Sequence, residues 1–198
     1  MKNHLFYPRR GYLNFQLSTV NCQLKQESCH GEPTSWQLFL LLQELVQSQL
    51  EGAVGTGVGG GIVIENNLLF GAHGSGAEIG HMVLNPQETI PCNCGKCGCV
   101  EQYCSATGIA RLGREALAAS DEGSTLRTVE KLDAKAIFDA GKAGDKLALQ
   151  VLDRYYNYLG QFLGSLCSVI NPEVVVLGGG VCKAGQILLD GVEPYFHK

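Results

Sequence analysis

Between residues 78 and 103 the chain reads EIGHMVLNPQETIPCNCGKCGCVEQY, which puts Cys92, Cys94, Cys97 and Cys99 within eight residues and His81 upstream of them. No apolar core can fix such a stretch, because it carries glycine, cysteine and proline where a helix or strand needs a hydrophobic period. Thiolates and an imidazole are the donors of a tetrahedral zinc site, and glycines between the cysteines let the backbone wrap an ion. Five candidate donors for four positions leave one spare. An iron–sulfur cluster is the competing reading, but the nearby histidine and the lack of a further paired cysteine motif favour zinc. Glu78 and Glu101 flank this knuckle. Carboxylates fixed by a metal-braced loop suit hydrogen bonds from substrate hydroxyls, with solvated surface charge as the alternative.

The nine cysteines would also fit a secreted disulfide scaffold. Against that, no apolar stretch follows the N-terminal charges, and the longest apolar run, LFLLL at 38–42, is far short of the ~20 residues of a membrane span. A cytoplasmic protein with metal-binding cysteines is therefore expected, and the isolated Cys22, Cys29, Cys104, Cys167 and Cys182 read as structural. The net charge of −4 offers no basic footprint for nucleic acid or anionic lipid, so neither nucleic acid nor membrane is an expected partner. With 198 residues, 45% hydrophobic and 17% charged, the chain is long enough for one domain or one and a fraction.

AVGTGVGGGIVIENN, residues 53–67, contains the letters GxGxxG on Gly55, Gly57 and Gly60. A dinucleotide fingerprint must open a helix whose N-terminal amides hold the pyrophosphate. Here Ile62, Val63 and Ile64 follow instead, which are poor helix openers and good strand formers. The stretch thus reads as a glycine-rich turn leading into a β-hairpin, GIVIENNLLFG, with ENN as its turn. The glycines exceed what a plain hairpin requires, and bare amides with the Thr56 hydroxyl suit phosphate oxygens. A second cluster, Gly178 to Gly180, ends the buried strand EVVVLGGGV (173–181). It leaves room for a flat ring at a strand's carboxyl end, or else marks a strand-to-helix turn.

Around these motifs, apolar residues at helical spacing predict a helix over Ser35–Leu50. Further helices are predicted from a cap at Thr107 to about Ala119, from Asp133 to about Ala143, from Asp145 to Ile170, and from about Ala184. Residues 71–100 are expected to form a loop. In the longest helix Leu152, Tyr155, Tyr156, Leu159, Phe162, Leu163, Leu166 and Ile170 make a broad buried face, ended by Asn171 and Pro172.

GTGVGGGIVI, GAEIGHMVLNP followed by CNCGKCGCVEQY, and NPEVVVLGGGV, in that order and at these intervals, resemble the motifs of the ROK family (repressors, open reading frames and sugar kinases), particularly its glucokinase-like members. The resemblance runs from about residue 53 to 198. It implies an α/β chain of the actin-like ATPase, ribonuclease-H-like fold, mostly its C-terminal domain with a zinc knuckle loop, in a protein where hexose and ATP meet between two domains. His81, Cys92, Cys94 and Cys99 would hold structural zinc, leaving Cys97 spare. Glu78, His81 and Glu101 would touch the sugar. Gly55, Thr56, Gly57, Gly59 and Gly60 would face the phosphates of MgATP, and Gly178, Gly179 and Gly180 its adenosine. Glucose would be the first-choice hexose, and the intact member a homodimer.

The sequence departs from the family at its start. ROK kinases open with a DxGGT-like phosphate loop and carry an Asn-Asp pair, whose aspartate is the catalytic base, ahead of the second phosphate motif. Neither is present. Glu27, Glu32 and Glu44, the only acids in the first 50 residues, lack that context. Residues 1–52 are therefore expected to be a remnant or a mistranslated frame, and 53–198 a kinase domain truncated at its C-terminal end. A carboxylate must accept the hydroxyl proton in phosphoryl transfer, so such a chain is expected to turn over poorly or not at all. The rival expectations are the sugar-sensing half of a ROK transcriptional repressor, although residues 1–50 show no basic recognition helix, and a non-catalytic sugar-binding remnant.

Overall fold

The computed structural model describes residues 16–19, 36–42, 57–64, 67–172 and 174–196. Five strands form one mixed sheet in the order β1-β5-β2-β3-β4. They are β1 (Gln16–Thr19), β2 (Trp36–Leu42), β3 (Gly59–Ile64), β4 (Asn67–Leu68) and β5 (Val174–Gly179). β5 runs parallel to both β1 and β2, whereas β2 and β3 are antiparallel.

The helix expected over Ser35–Leu50 is not what forms at its start, because Trp36–Leu42 is the strand β2. A short continuous apolar run fits a buried helix or a strand equally by periodicity. The decision is tertiary: β2 is paired along one edge with β5 and along the other with β3, so its backbone groups are engaged on both sides. Residues 43–50 lie outside the described residues.

The hairpin reading holds, with Val63 opposite Leu68 and Ile64 opposite Asn67. The glycine-rich stretch is not all turn, however. β3 already begins at Gly59, and Gly59, Gly60 and Gly61 pair with Leu41, Leu40 and Phe39 of β2.

Helices follow: α1 (Glu101–Cys104), α2 (Ala106–Ala119), α3 (Ala134–Lys142), α4 (Lys146–Ile170) and α5 (Gln186–Phe196). Asp133 and Asp145, the expected starts of two helices, cap α3 and α4, accepting from Ala136 N at 2.9 Å and Ala148 N at 3.0 Å. The cap of α2 is Ser105 rather than Thr107, since Ser105 Oγ accepts from Gly108 N at 3.0 Å while Thr107 Oγ1 bonds the Ser105 hydroxyl. Asn171 closes α4 in the left-handed conformation, at φ 48°.

α4 packs against α5, α3 and α2, and its apolar face forms the centre of the core, with Tyr155, Leu159 and Leu163 fully buried and Ile170 at the margin. Val175 and Leu177 of β5 and Ile62 of β3 belong to the same core. Cys104, Cys167 and Cys182 are buried within it as small apolar side chains. Among the described residues no helix is long and apolar enough to cross a membrane.

Candidate metal centre

Residues 71–100 contain little regular structure: one 3-10 turn at Ile79–His81 and two isolated bridges, Val83 to Cys99 and Pro91 to Cys97. The bridges fold the segment back on itself, and Leu84 N and Asn85 N both donate to Gly98 O, at 2.7 and 3.1 Å. This brings His81 beside the cysteine run.

One donor atom from each of His81, Cys92, Cys94 and Cys99 lies within 4.8 Å of the other three. Cys94 Sγ and Cys99 Sγ are 3.5 Å apart, and Cys92 Sγ lies 3.8 Å from His81 Nδ1. Ligands about 2.0–2.3 Å from a tetrahedral zinc stand roughly 3.4–3.8 Å from one another, so the donor set and its spacing fit that ion. Cys97 lies apart, its thiol directed to Thr89 O at 3.7 Å.

Burial pushes the Cys92 thiol up to about 12 and raises Cys99 as well, while the backbone N–H of Lys96 lowers Cys94. Binding a metal must therefore expel protons that burial holds on two of the thiols.

Glu101 opens α1 directly after this loop. Its Oε1 accepts from Cys92 Sγ at 2.8 Å and lies 3.8 Å from His81 Nδ1. Its other oxygen faces the glycine-rich stretch ahead of β3, where a Cβ at Gly57 would stand 2.8 Å from Glu101 Oε2. Glu78 is exposed at the head of the 3-10 turn. The turn presses so closely on the strand that a Cβ at Gly80 would overlap the carbonyl of Val58. Only glycine allows that approach.

The strand register brings the glycine clusters together as well. Leu41 of β2 is opposite Gly59 on one side and Gly178 on the other, and Leu42 is opposite Gly179. The start of β3 and the end of β5 thus occupy the same end of the sheet, two strand spacings or about 10 Å apart. Gly179, at φ 95°, then turns the chain into a 3-10 segment from Gly180. Gly57, Gly59, Gly60, Glu78, His81, Cys92, Cys94, Cys99, Glu101 and Gly178–Gly180 are all described. Gly55 and Thr56 lie outside the described residues, as do Glu27, Glu32 and Glu44.

The sequence reading missed one group. Glu88 Oε1 accepts from Thr89 N and Ile90 N, both at 3.0 Å, and its Oε2 accepts from Tyr103 OH at 2.7 Å and Arg111 Nη1 at 2.9 Å. The Arg111 guanidinium also lies over the Tyr103 ring, 4.8 Å from its centre. Asn85 Nδ2 adds a bond to Tyr103 OH at 2.9 Å. The Tyr103 hydroxyl, the Ile90 N–H and the Arg111 charge hold the Glu88 carboxyl far below the usual range, at about 2. The cluster pins the incoming limb of the loop to α1 and α2.

A mixed sheet with glycine-bearing strand ends, a helical layer and a four-donor loop at the same sheet end defines the class of domain to which this chain belongs. Residues 35–198 match the ROK family, and the chain belongs to that family. The match starts ahead of Ala53, where the motif resemblance begins.

The chain is 45% identical over 147 residues to a glucokinase of Halalkalibacterium halodurans, covering 73% of this chain and 44% of the relative. It superposes on a ROK family glucokinase from Streptomyces griseus, solved with glucose and AMPPNP, with a TM-score of 0.70 and 30% identity over 83% of this chain and 51% of that one. A ROK family transcriptional regulator, a homologue of the E. coli MLC protein, gives a TM-score of 0.66 and 29% identity, over 83% of this chain and 38% of the regulator. The chain thus spans about half the length, or less, of the proteins it matches, and shares the fold of ROK sugar kinases, the actin-like ATPase fold.

Proposed function

We propose that this chain carries the sugar-, zinc- and adenosine-binding part of a cytoplasmic, ATP-dependent hexose kinase that converts glucose to glucose 6-phosphate. The observation that carries the reading is the meeting of three motifs at one end of the sheet. Glu101 bonds Cys92 of the donor cluster and lies where a Cβ at Gly57, ahead of β3, would meet it, and Gly178 lies across β2 from Gly59.

In this reading His81, Cys92, Cys94 and Cys99 hold zinc, which fixes the loop and takes no part in the chemistry. His81 has two ring nitrogens, so Nδ1, which faces Cys92, can serve the metal while Nε2 meets a sugar hydroxyl. Glu78 and Glu101 accept from further hydroxyls. The glycines from Gly57 offer amides to the phosphates of MgATP, and Gly178–Gly180 receive the adenosine where ligands of open α/β sheets bind, beyond the strand ends. These residues bind and orient, and none is assigned as the catalytic base.

The test is a coupled assay of glucose phosphorylation with MgATP, alongside calorimetric titration of glucose into the zinc-loaded chain. Turnover supports the kinase. The likeness to the regulator supports a second reading, a sugar-sensing domain, which requires glucose binding but, unlike a kinase part without its base, no binding of MgATP titrated in the same way. Absence of glucose binding overturns both.

A further inference from the structure

We infer that Gln102 is a positioning residue that closes the metal loop from outside the ligand set and sets how tightly the metal is held. The inference rests on the zinc reading of His81, Cys92, Cys94 and Cys99. Both ends of the Gln102 side-chain amide are engaged by backbone groups rather than by the donor atoms of that cluster.

Its side-chain amide uses both ends. Gln102 Oε1 accepts from the backbone N–H of Cys99 at 2.9 Å, and Gln102 Nε2 donates to the carbonyl of Ile90 at 2.9 Å. One partner can only donate and the other only accept, so the orientation of the amide is fixed by its neighbours. The two bonds join the backbone of the last ligand, Cys99, to that of Ile90, two residues before the first cysteine, Cys92. Everything between them is the ligand-bearing turn.

Gln102 is itself anchored. Its N–H donates to Cys99 O at 3.0 Å, and its carbonyl accepts from Arg111 Nη2 at 3.1 Å, which fastens it to α2. The clamp thus spans entry and exit of the turn from a fixed point on the helices. Without it the loop must pay the entropy of bringing three thiols together at the moment of binding.

Outer groups that orient ligands commonly govern metal affinity by about 10- to 100-fold. Zinc affinity of the full chain would be measured by competition with a chromophoric chelator, for the wild type, Gln102→Ala and Gln102→Glu. The glutamate still accepts from Cys99 N but cannot donate to Ile90 O. Cobalt(II) spectra of each variant report the geometry around the ion.

Gln102→Ala is expected to weaken zinc binding about 10- to 100-fold, with Gln102→Glu between it and the wild type. The melting temperature of the metal-free chain should stay nearly constant, which a merely structural role would not allow. A wild type that binds zinc together with variants that bind it within about twofold overturns this inference alone; should Gln102→Ala fail to fold, Gln102→Glu decides by the same criterion. A wild type that takes up no zinc overturns the metal reading and this inference with it.

Discussion

Replacing Glu88 by glutamine tests whether the loop is fastened independently of the metal. The Glu88 side chain is 11% exposed and takes four hydrogen bonds, two from backbone N–H groups and two from Tyr103 and Arg111. A glutamine has one acceptor oxygen, so its amino group must face either two backbone donors or the hydroxyl and guanidinium. Arg111 would keep Glu115 at 3.1 Å and Gln102 O, but would lose its better-buried counter-ion, and its Nε already lacks a partner.

Folding moves the carboxyl from an ordinary 4.5 to about 2. By linkage that difference corresponds to about 3 kcal/mol, and water at the rim of the cluster reduces it to roughly 2 kcal/mol. The folded value is the lower one, so the contribution is complete above pH 4.5 and disappears as the pH falls through about 2. At pH 3 roughly two-fifths of it remains. Urea denaturation of the wild type and Glu88→Gln, with a chelator present, should show a gap of about 2 kcal/mol at pH 7, or about 4–8 °C in melting temperature. The gap should shrink by more than half at pH 3. A gap that is the same at both pH values would refute the argument, because it would place the cost in shape rather than in the charge.

Gly80→Ala drives a Cβ into the Val58 carbonyl, backbone against backbone, and should cost about 1–3 kcal/mol or more in thermal melts while displacing His81 and weakening zinc uptake. Asp145→Ala removes the cap of α4 together with the acceptor for Ser124 Oγ, Thr125 N and Thr125 Oγ1, and should cost about 1–2 kcal/mol in urea denaturation at pH 7. Burial raises the Asp145 carboxyl, but the bonds from Ala148, Thr125 and Ser124 outweigh it and hold it at about 2, below its ordinary 3.8; the difference from the wild type should therefore fade below pH 4. Metal content by atomic emission should be about one zinc per chain, lost in Cys94→Ala and retained in Cys97→Ser, whose thiol faces Thr89 O rather than the cluster.

Local signals in the sequence were readable where the physics is local. Asp133, Asp145 and Asn171 act on backbone groups within four residues, and the hairpin follows from β-branched residues around a turn. A metal site among His81, Cys92, Cys94, Cys97 and Cys99 is legible because few other arrangements use such a run, whereas leaving out Cys97 rests on the family resemblance; the loop gathers the other four. β2 is not legible locally, because Trp36–Leu42 becomes a strand only through partners at 59–64 and 174–179, which no window around residue 40 contains. Ser105 and Thr107 are not distinguishable as caps in the sequence, because both are hydroxyls at a helix start and only the backbone shows which one faces Gly108 N. Glu88 carried no local signal at all: its partner Arg111 lies 23 residues away, and an acid in a polar loop looks like solvated surface.

The loop thus has one fastening through Glu88 and a proposed second one through a metal, and the difference has a physical reason. Residues 85–90 can reach α1 and α2, so their polar groups are satisfied by Tyr103 and Arg111, and an ion pair at the edge of the core suffices. Residues 92–99 bond α1 at their two ends, through Cys92 to Glu101 and Cys99 to Gln102. Within that turn only Cys92 and Cys99 bury their side chains fully, and Cys94 is exposed, so apolar contact offers little there. The proposed ion would supply what packing cannot, since it would tie Cys94 at the exposed tip to His81 on the 3-10 turn and thereby to β3. Glu101 stands where the two fastenings meet, one residue before Gln102 and two before Tyr103, with its carboxylate between Cys92 and Gly57. If Glu101 accepts from a sugar hydroxyl as proposed, it must be held to a fraction of an ångström, and a position fixed from both sides is where this fold would provide that.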